Sequence, residues 1–342
     1  MAKRRRGPLL VAMGVGVAAL AGGAAIAAAR RTARTHRTGP DPRADDAGVF
    51  DLDVLGVEHH RIATPDGGEL HAVEKGPKDA RPLVLLHGIS LEARVWGYQL
   101  RDLSDRFRVI AVDLRGHGGS RPGSDGYGMP RLATDLKTVL EALDLRDTIV
   151  VGHSMGGMTL MRFCGDHPDV LDERVAGVVF LATMPLLPVP ALAQRAIATL
   201  APRLHGLGER RGWDRMPSRR IRDEAISYLL IRRIFGRDAS PTHVALSREL
   251  VLGAPTEAMW PSGLGIAVHN AEEALESTKT PALVIGGELD NLLPPAMSRR
   301  IAELLPNAEL HILDDAGHQL MLERPEKLAE LLDQFSKDLA SV

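Results

Sequence analysis

The feature that most constrains this fold is the stretch at residues 149–157. There an apolar run stops at a glycine, presents one serine and resumes on two more glycines. A G-x-S-x-G pattern between a strand and a helix is typical of a very tight turn that exposes the serine hydroxyl. Gly152 and Gly156 carry no Cβ, so the strand and the helix can approach each other closely around Ser154. The pattern predicts that Ser154 is a nucleophile at the carboxyl edge of a sheet. It also predicts that the N–H of Met155, at the helix start, stabilises a developing negative charge.

The rest of the pattern predicts an α/β fold. Two leading strands, 57–64 and 69–74, precede an alternation of strands and helices, and right-handed crossovers make the alternating part a mostly parallel sheet with helices on both faces. Between residues 184 and 277 the alternation stops and prolines separate helix-like pieces, which we interpret as a helical cap inserted over the site. The cap therefore divides an α/β core into a first part, 49–183, and a second part, 278–342.

The N-terminal residues 1–29 are interpreted as a hydrophobic anchor or a signal segment. Residues 8–29 carry no charge, and about 22 helical residues at roughly 1.5 Å each reach across a hydrocarbon core of about 30 Å. A cleaved secretory signal is the alternative, because the alanines at 27–29 suit a cleavage site. The length of the run and the arginines directly after it favour a single-pass membrane anchor, of either orientation. Residues 30–48 are expected to form a flexible linker.

Charge and cysteine usage argue against several kinds of binding site. The first 43 residues hold nine lysines and arginines against a single acid, Asp41. Because these cations flank the apolar run, we assign them to the membrane segment and expect no nucleic-acid binding. Cys164 is the only cysteine, so neither an intrachain disulfide nor a cysteine-based metal site is available. The histidines and acids lack metal-ligand spacing, and no glycine-rich nucleotide loop follows the first strand, so we expect no metal and no cofactor. The oligomeric state is left open.

A nucleophilic serine needs a general base, and that base needs an orienting acid. Histidine is the usual base because its pKa lies near neutrality. Asp290 directly follows one predicted strand, and His318 follows the next after Gly317, which lets the loop bend. The chain order Ser154, Asp290, His318 is that of one fold that carries the serine motif. Three other acids compete with Asp290 for the orienting role: Glu288, Asp314 and Asp315.

A second donor for the negative charge is predicted in the loop after the strand at 82–86. In enzymes with this serine motif that loop contributes a backbone N–H, which by position is that of Ile89. Gly88 permits close approach there, and His87 is expected to hold the loop in place and not to transfer protons.

Taken together, these segments resemble the α/β-hydrolase superfamily over roughly residues 57–340. They are closest in pattern to its capped esterase, haloperoxidase and lactonase-like members. The resemblance argues against dehalogenase and epoxide hydrolase activity, because those relatives carry an aspartate at the position of Ser154. The matching segments are residues 86–88, 113–118, 152–157, 287–290 and 317–318.

The expected activity is cleavage of small-molecule or lipid-like carboxylic esters, with an apolar acyl chain, through an acyl-enzyme. Two alternatives stay open. The same three residues could serve perhydrolysis, lactone opening or C–C bond cleavage. The chain could also be a catalytically silent, membrane-tethered binding protein, against which the intact set of Ser154, Asp290 and His318 argues.

Overall fold

Eight strands form one sheet within the described residues of the computed structural model, which are 23–190, 192–193, 195–197, 199–200 and 224–341. The sheet order is β1-β2-β4-β3-β5-β6-β7-β8; β2 runs antiparallel to β1 and β4, and all the other pairs are parallel. The strands are β1 (Glu58–Ala63), β2 (Glu69–Lys75), β3 (Pro82–Leu86), β4 (Arg108–Val112), β5 (Thr148–His153), β6 (Val175–Leu181), β7 (Ala282–Gly287) and β8 (Ala308–Leu313).

Helices connect these strands and extend the chain at both ends. Two 3₁₀ helices, Ala44–Phe50 and Ala93–Trp96, accompany them. The described α-helices are α1 (Gly23–Arg37), α2 (Leu52–Leu55), α3 (Gly97–Asp102), α4 (Met129–Ala142), α5 (Met155–Asp166), α6 (Pro168–Arg174), α7 (Glu224–Arg232), α8 (Pro241–Gly253), α9 (Thr256–Val268), α10 (Glu272–Ser277), α11 (Pro295–Leu304), α12 (Leu320–Glu323) and α13 (Pro325–Leu339).

The sheet is covered on both faces, as the unbroken apolar runs of its central strands predict. Every residue of β3 is buried, and successive side chains point to opposite faces of the sheet. Leu83 and Leu85 belong to one buried hydrophobic cluster, whereas Val84 and Leu86 belong to the other. The prediction of a mostly parallel sheet with helices on both faces is therefore confirmed. Packing on both faces holds the strands, and with them the carboxyl edge of the sheet, in place.

The segment before the sheet differs from the expected flexible linker. Residues 30–48 lie mostly in α1 and in the 3₁₀ helix Ala44–Phe50, because they find buried partners on the rest of the chain. Ala33 and Phe50 are 2% and 6% exposed, and the Asp41 carboxylate accepts a hydrogen bond from the Ser240 hydroxyl at 2.6 Å. Polar composition predicted a linker here, but these long-range contacts order the segment.

The expected membrane anchor falls largely outside the described part of the chain, because residues 1–22 are not described. None of the described helices combines the length and the apolar character that crossing a membrane requires.

Helices α7 to α10 fall within the predicted cap, of which residues 201–223 lie outside the described part. Helix α9 contacts the loops that follow β3 and β4. The Ser90 hydroxyl lies 2.9 Å from Met259 Sδ, and a Cβ placed on Gly116 would lie 2.8 Å from the Cβ of Ala258. Helix α9 thus packs directly against the loops at the carboxyl edge of the sheet.

Buried polar side chains hold these loops. The backbone N–H of Leu114 donates to His87 Nε2 at 2.9 Å, so the neutral ring carries its proton on Nδ1, which donates to the Gly88 carbonyl at 2.7 Å. Burial, with a smaller contribution from His117, lowers the pKa of His87 to about 4. His87 therefore ties the loop after β3 to the end of β4 as an uncharged residue.

Asp113 and Arg115, which follow β4, are likewise bound in the interior. Asp113 Oδ2 lies 2.7 Å from His71 Nδ1, and Arg115 forms ion pairs with Asp66 and Asp135, both at 2.8 Å. The Arg115 side chain is fully buried, so its charge is compensated inside the protein. These contacts agree with structural roles for both residues.

The buried histidines predict a loss of stability in acid. In the unfolded chain, His87 has a pKa near 6.5 and binds a proton below that pH. In the folded protein the buried ring stays neutral until about pH 4, so the unfolded state binds more protons between these values. Its stabilising contribution is thus fully present above about pH 6.5 and falls, by up to roughly 3 kcal/mol, as the pH drops toward 4. Urea unfolding curves between about pH 7.5 and about pH 4.5 measure this slope.

The variant His87→Gln keeps a hydrogen-bonding amide but cannot titrate, so its free energy of unfolding should depend less steeply on pH. A residual slope remains, because burial lowers the pKa of both His243 and His269 to about 4 as well. Equal slopes in wild type and His87→Gln would contradict this assignment.

Candidate active site

Ser154 occupies the turn between β5 and α5 in a conformation that non-glycine residues rarely adopt. Its φ is 53° and its ψ is −116°, and the surrounding structure holds it there. The Ser154 N–H donates to the Leu181 carbonyl at 3.0 Å, and the Ser154 carbonyl accepts the Thr183 hydroxyl at 2.7 Å. The predicted tight turn is present, but Ser154 is only 7% exposed and thus lies beneath covering groups.

The glycines around Ser154 are required by the closeness of the neighbouring backbone. A Cβ on Gly152 would lie 2.5 Å from the Gly156 carbonyl oxygen, and one on Gly156 would lie 2.3 Å from the Leu86 carbonyl oxygen. A Cβ on Gly88 would lie 3.1 Å from the Cβ of Ser154. Strands β3 and β5 and helix α5 therefore meet at one point with no space for side chains.

Asp290 and His318 meet at the same edge of the sheet, on the loops that follow β7 and β8. His318 Nδ1 lies 2.8 Å from Asp290 Oδ2, and both residues are buried. The other carboxylate oxygen of Asp290 accepts the N–H groups of Leu292 and Leu293, each at 2.8 Å. Because its oxygens are fixed in this way, Asp290 orients the imidazole with Nδ1–H toward itself and leaves Nε2 available.

The backbone of His318 is fixed from two sides. Its N–H donates to the Ile234 carbonyl in the cap at 2.7 Å, and its carbonyl lies 2.9 Å from His153 Nε2. The two imidazole rings have centroids 4.8 Å apart. Burial, followed by the proximity of His318, lowers the pKa of His153 well below its usual value, so that ring is neutral. Since His153 directly precedes Ser154, these contacts join the serine turn to the histidine loop.

The structure brings together Asp290 and His318 by a hydrogen bond and places Ser154 on the adjoining turn. The hydrogen bonds of the described residues do not include one between Ser154 Oγ and His318. Met155 is the first residue of α5, where N–H groups lack an intrahelical acceptor. Ile89 is half-buried in the loop after β3.

The competing acids lie away from this hydrogen bond. Glu288 and Asp314 are exposed, and Asp315 pairs with Arg237 at 3.2 Å. Among the four acids weighed from the sequence, Asp290 is thus the one that the structure joins to His318.

Sequence reasoning missed Glu323, which organises the histidine loop. Its carboxylate accepts the N–H groups of Gly317 at 3.0 Å and Gln319 at 3.0 Å, on either side of His318, and that of Gly236 in the cap at 2.6 Å. Burial raises the pKa of Glu323, although these three donors oppose that effect. No spacing rule indicated Glu323, because one of its partners lies 87 residues away along the chain.

A possible metal-ligating group lies on strands β1 and β2. Within the described residues, ligand atoms of Glu58, His60 and Glu74 lie within 4.8 Å of one another. Lys78 Nζ is 2.6 Å from both carboxylates, and Arg108 pairs with Glu74 at 2.9 Å. These cations already neutralise the carboxylates, so the group is a salt-bridge cluster.

Comparison with known proteins places this geometry in context. The profile of the alpha/beta hydrolase family matches residues 83–331. The non-heme chloroperoxidase CPO-A1 of Kitasatospora aureofaciens is 29% identical over 292 residues, which cover 81% of this chain and 96% of that protein. The bifunctional esterase/perhydrolase DCH of Acinetobacter calcoaceticus is 27% identical, over 73% of this chain and 89% of its own length.

Among solved structures, a thermophilic esterase from Thermogutta terrifontis superposes with a TM-score of 0.66. It is 26% identical and covers 82% of this chain and 99% of its own. The family profile matches well over half of the chain, and the relatives align over nearly their full lengths. The chain therefore belongs to the alpha/beta hydrolase family.

Proposed function

We propose that this hydrolase cleaves carboxylic esters through a covalent acyl-enzyme on Ser154. The observation that carries the proposal is the buried hydrogen bond between Asp290 and His318, at the edge of the sheet where the strained turn presents Ser154. A nucleophile, a base and an orienting acid on three separate loops form the recurring unit for acyl transfer.

In the first step, His318 Nε2 takes the proton from Ser154 Oγ as that oxygen attacks the ester carbonyl. Asp290 holds the proton on Nδ1 and stabilises the imidazolium that forms. His318 then donates its proton to the departing alcohol, and the C–O bond of the ester breaks. In the second step, a water molecule gives a proton to the same imidazole and attacks the acyl-enzyme, which releases the acid and restores Ser154.

We assign stabilisation of the negative charge on the tetrahedral intermediate to the N–H groups of Met155 and Ile89. Donors that are already fixed need no reorganisation during the reaction, and loss of one such donor costs about 10²–10³ in kcat in comparable sites. The Ser154 to His318 hydrogen bond is expected to form when the substrate binds, since catalytic hydrogen bonds often tighten in the substrate complex.

One contact of the predicted cap bears on the substrate. Met259 of helix α9 contacts Ser90, the neighbour of Ile89, so an apolar side chain of the cap lies beside the proposed oxyanion donor. This supports an ester with an apolar acyl group.

Perhydrolysis is a second candidate for the same three residues, supported by the similarity to an esterase/perhydrolase and a chloroperoxidase.

We also propose that the uncharged run at residues 8–29 anchors the enzyme in a membrane. Its length and the arginines that follow it support an anchor over a cleaved signal.

The variant Ser154→Ala should abolish covalent labelling by a fluorophosphonate probe and lower kcat about a millionfold, because it removes the nucleophile. A series of p-nitrophenyl esters of increasing acyl length measures turnover and acyl preference, and circular dichroism checks the fold. Ser277→Ala, at an exposed position on α10, is the matched control and should behave like wild type. Absence of labelling in the folded wild-type protein would instead support a catalytically silent binding protein.

The variant Asp290→Asn should lower kcat by about ten-thousandfold, because an amide at this position favours the wrong tautomer of His318. The variants Glu288→Gln and Asp314→Asn change exposed acids near the same loops and should retain wild-type turnover. A large loss in either control, with Asp290→Asn unaffected, would reassign the orienting acid.

The anchor predicts that the full chain, expressed in a bacterium, stays in the membrane pellet after alkaline carbonate extraction. A variant that lacks residues 8–22 should move to the supernatant, because the apolar run is then too short to span. Mass spectrometry of the N terminus tests the alternative. A mature chain that begins at Arg30 would contradict the anchor and identify a cleaved signal.

A further inference from the structure

Helix α1, which precedes the hydrolase core, packs on cap helix α7 through specific polar contacts. His36 Nδ1 lies 2.7 Å from the Tyr228 hydroxyl, and Arg232 Nε donates to His36 Nε2 at 3.1 Å. Arg37 pairs with Glu224 at 2.6 Å. Burial, with a contribution from the charge on Arg232, lowers the pKa of His36, which favours the neutral ring that this arrangement needs.

Arg232 connects this contact to the next part of the cap. Its guanidinium donates to the Gly236 carbonyl at 2.8 Å and to the Arg237 carbonyl at 2.5 Å. The guanidinium therefore has His36 on one side and the carbonyls of Gly236 and Arg237 on the other. Residues 234–237 are here called the cap segment. Because one planar group makes both sets of hydrogen bonds, the His36 contact fixes the orientation in which Arg232 holds the cap segment.

The cap segment in turn holds the histidine loop. The Ile234 carbonyl accepts the N–H of His318 at 2.7 Å, and the Gly236 N–H binds Glu323, which also binds the N–H groups of Gly317 and Gln319. Packing between the two backbones is so close that a Cβ on Gly317 would lie 2.5 Å from the Gly236 nitrogen. A displacement of the cap segment must therefore displace His318.

We propose that His36 and Arg232 are positioning residues for His318, so that a segment lying ahead of the family-matched region sets the geometry of the catalytic base. The inference rests on the proposed function, since it concerns the rate at which His318 serves Ser154. The matched region begins at residue 83, which places His36 well before it. An imidazole misplaced by about 1 Å can cost on the order of a hundredfold in rate.

The test compares three variants of the full chain. His36→Leu removes the acceptor for Arg232, His36→Gln keeps a side-chain oxygen that can accept from it, and Thr35→Leu changes the adjacent exposed residue. Active sites are titrated with the fluorophosphonate probe, and kcat per titrated site and KM are measured on a p-nitrophenyl ester. His36→Leu should lose at least tenfold in kcat per site with KM within about twofold, while the other two variants stay near wild type.

Titration of active sites separates positioning from stability, because unfolded molecules are not counted. A kcat per site in His36→Leu equal to that of wild type overturns the proposal. So does a loss in His36→Gln as large as that in His36→Leu, since restoring the acceptor should rescue the rate.

A second readout does not depend on turnover. The downfield proton resonance of His318 Nδ1–H, assigned by its disappearance in His318→Gln, reports the hydrogen bond to Asp290. It should shift in His36→Leu and stay unchanged in His36→Gln and Thr35→Leu. If wild type fails to react with the probe or the esters while this shift occurs, ester hydrolysis is wrong and the positioning stands. A resonance unchanged in His36→Leu overturns the positioning in either case.

Discussion

The whole site depends on one steric constraint, the contact between backbones where β3, β5 and α5 meet. Gly152 and Gly156 leave no space for side chains, so the chain must reverse at Ser154 with a positive φ. This reversal brings the start of α5, whose first N–H groups have no intrahelical acceptor, beside the serine. The serine turn and the helix start beside it therefore arise from the same packing requirement.

His318 is held in a different way from Ser154. Ser154 is positioned by the core of the sheet, whereas His318 lies on a loop whose backbone is bound by the cap and by Glu323. His153 connects the two systems, because it precedes Ser154 in the chain and its ring contacts the His318 carbonyl. The relative placement of Ser154 and His318 is thus a property of sheet and cap together.

The parts of the structure that sequence reasoning predicted are those governed by local rules. Strand β3 lies at the predicted residues 82–86, because an unbroken apolar run between polar turns has few other solutions. Asp290 and His318 could be selected because polar residues that follow parallel strands collect at one edge of the sheet. The ordered structure of the segment around His36 could not be predicted, because Tyr228, the partner of His36, is 192 residues away along the chain. Glu323 was missed for a related reason: its hydrogen bond to Gly236 forms only when the cap lies on the core.

The Asp41 carboxylate accepts four hydrogen bonds, one from within its own segment and three from Ser240 and Thr242 in the cap. A recombinant chain cut to the family-matched residues 83–331 would lose this carboxylate together with α1. Donors at the start of α8 would then face solvent, and the buried side of α7 would become exposed. Boundaries chosen for expression or crystallisation by similarity alone would therefore cut through a folded unit.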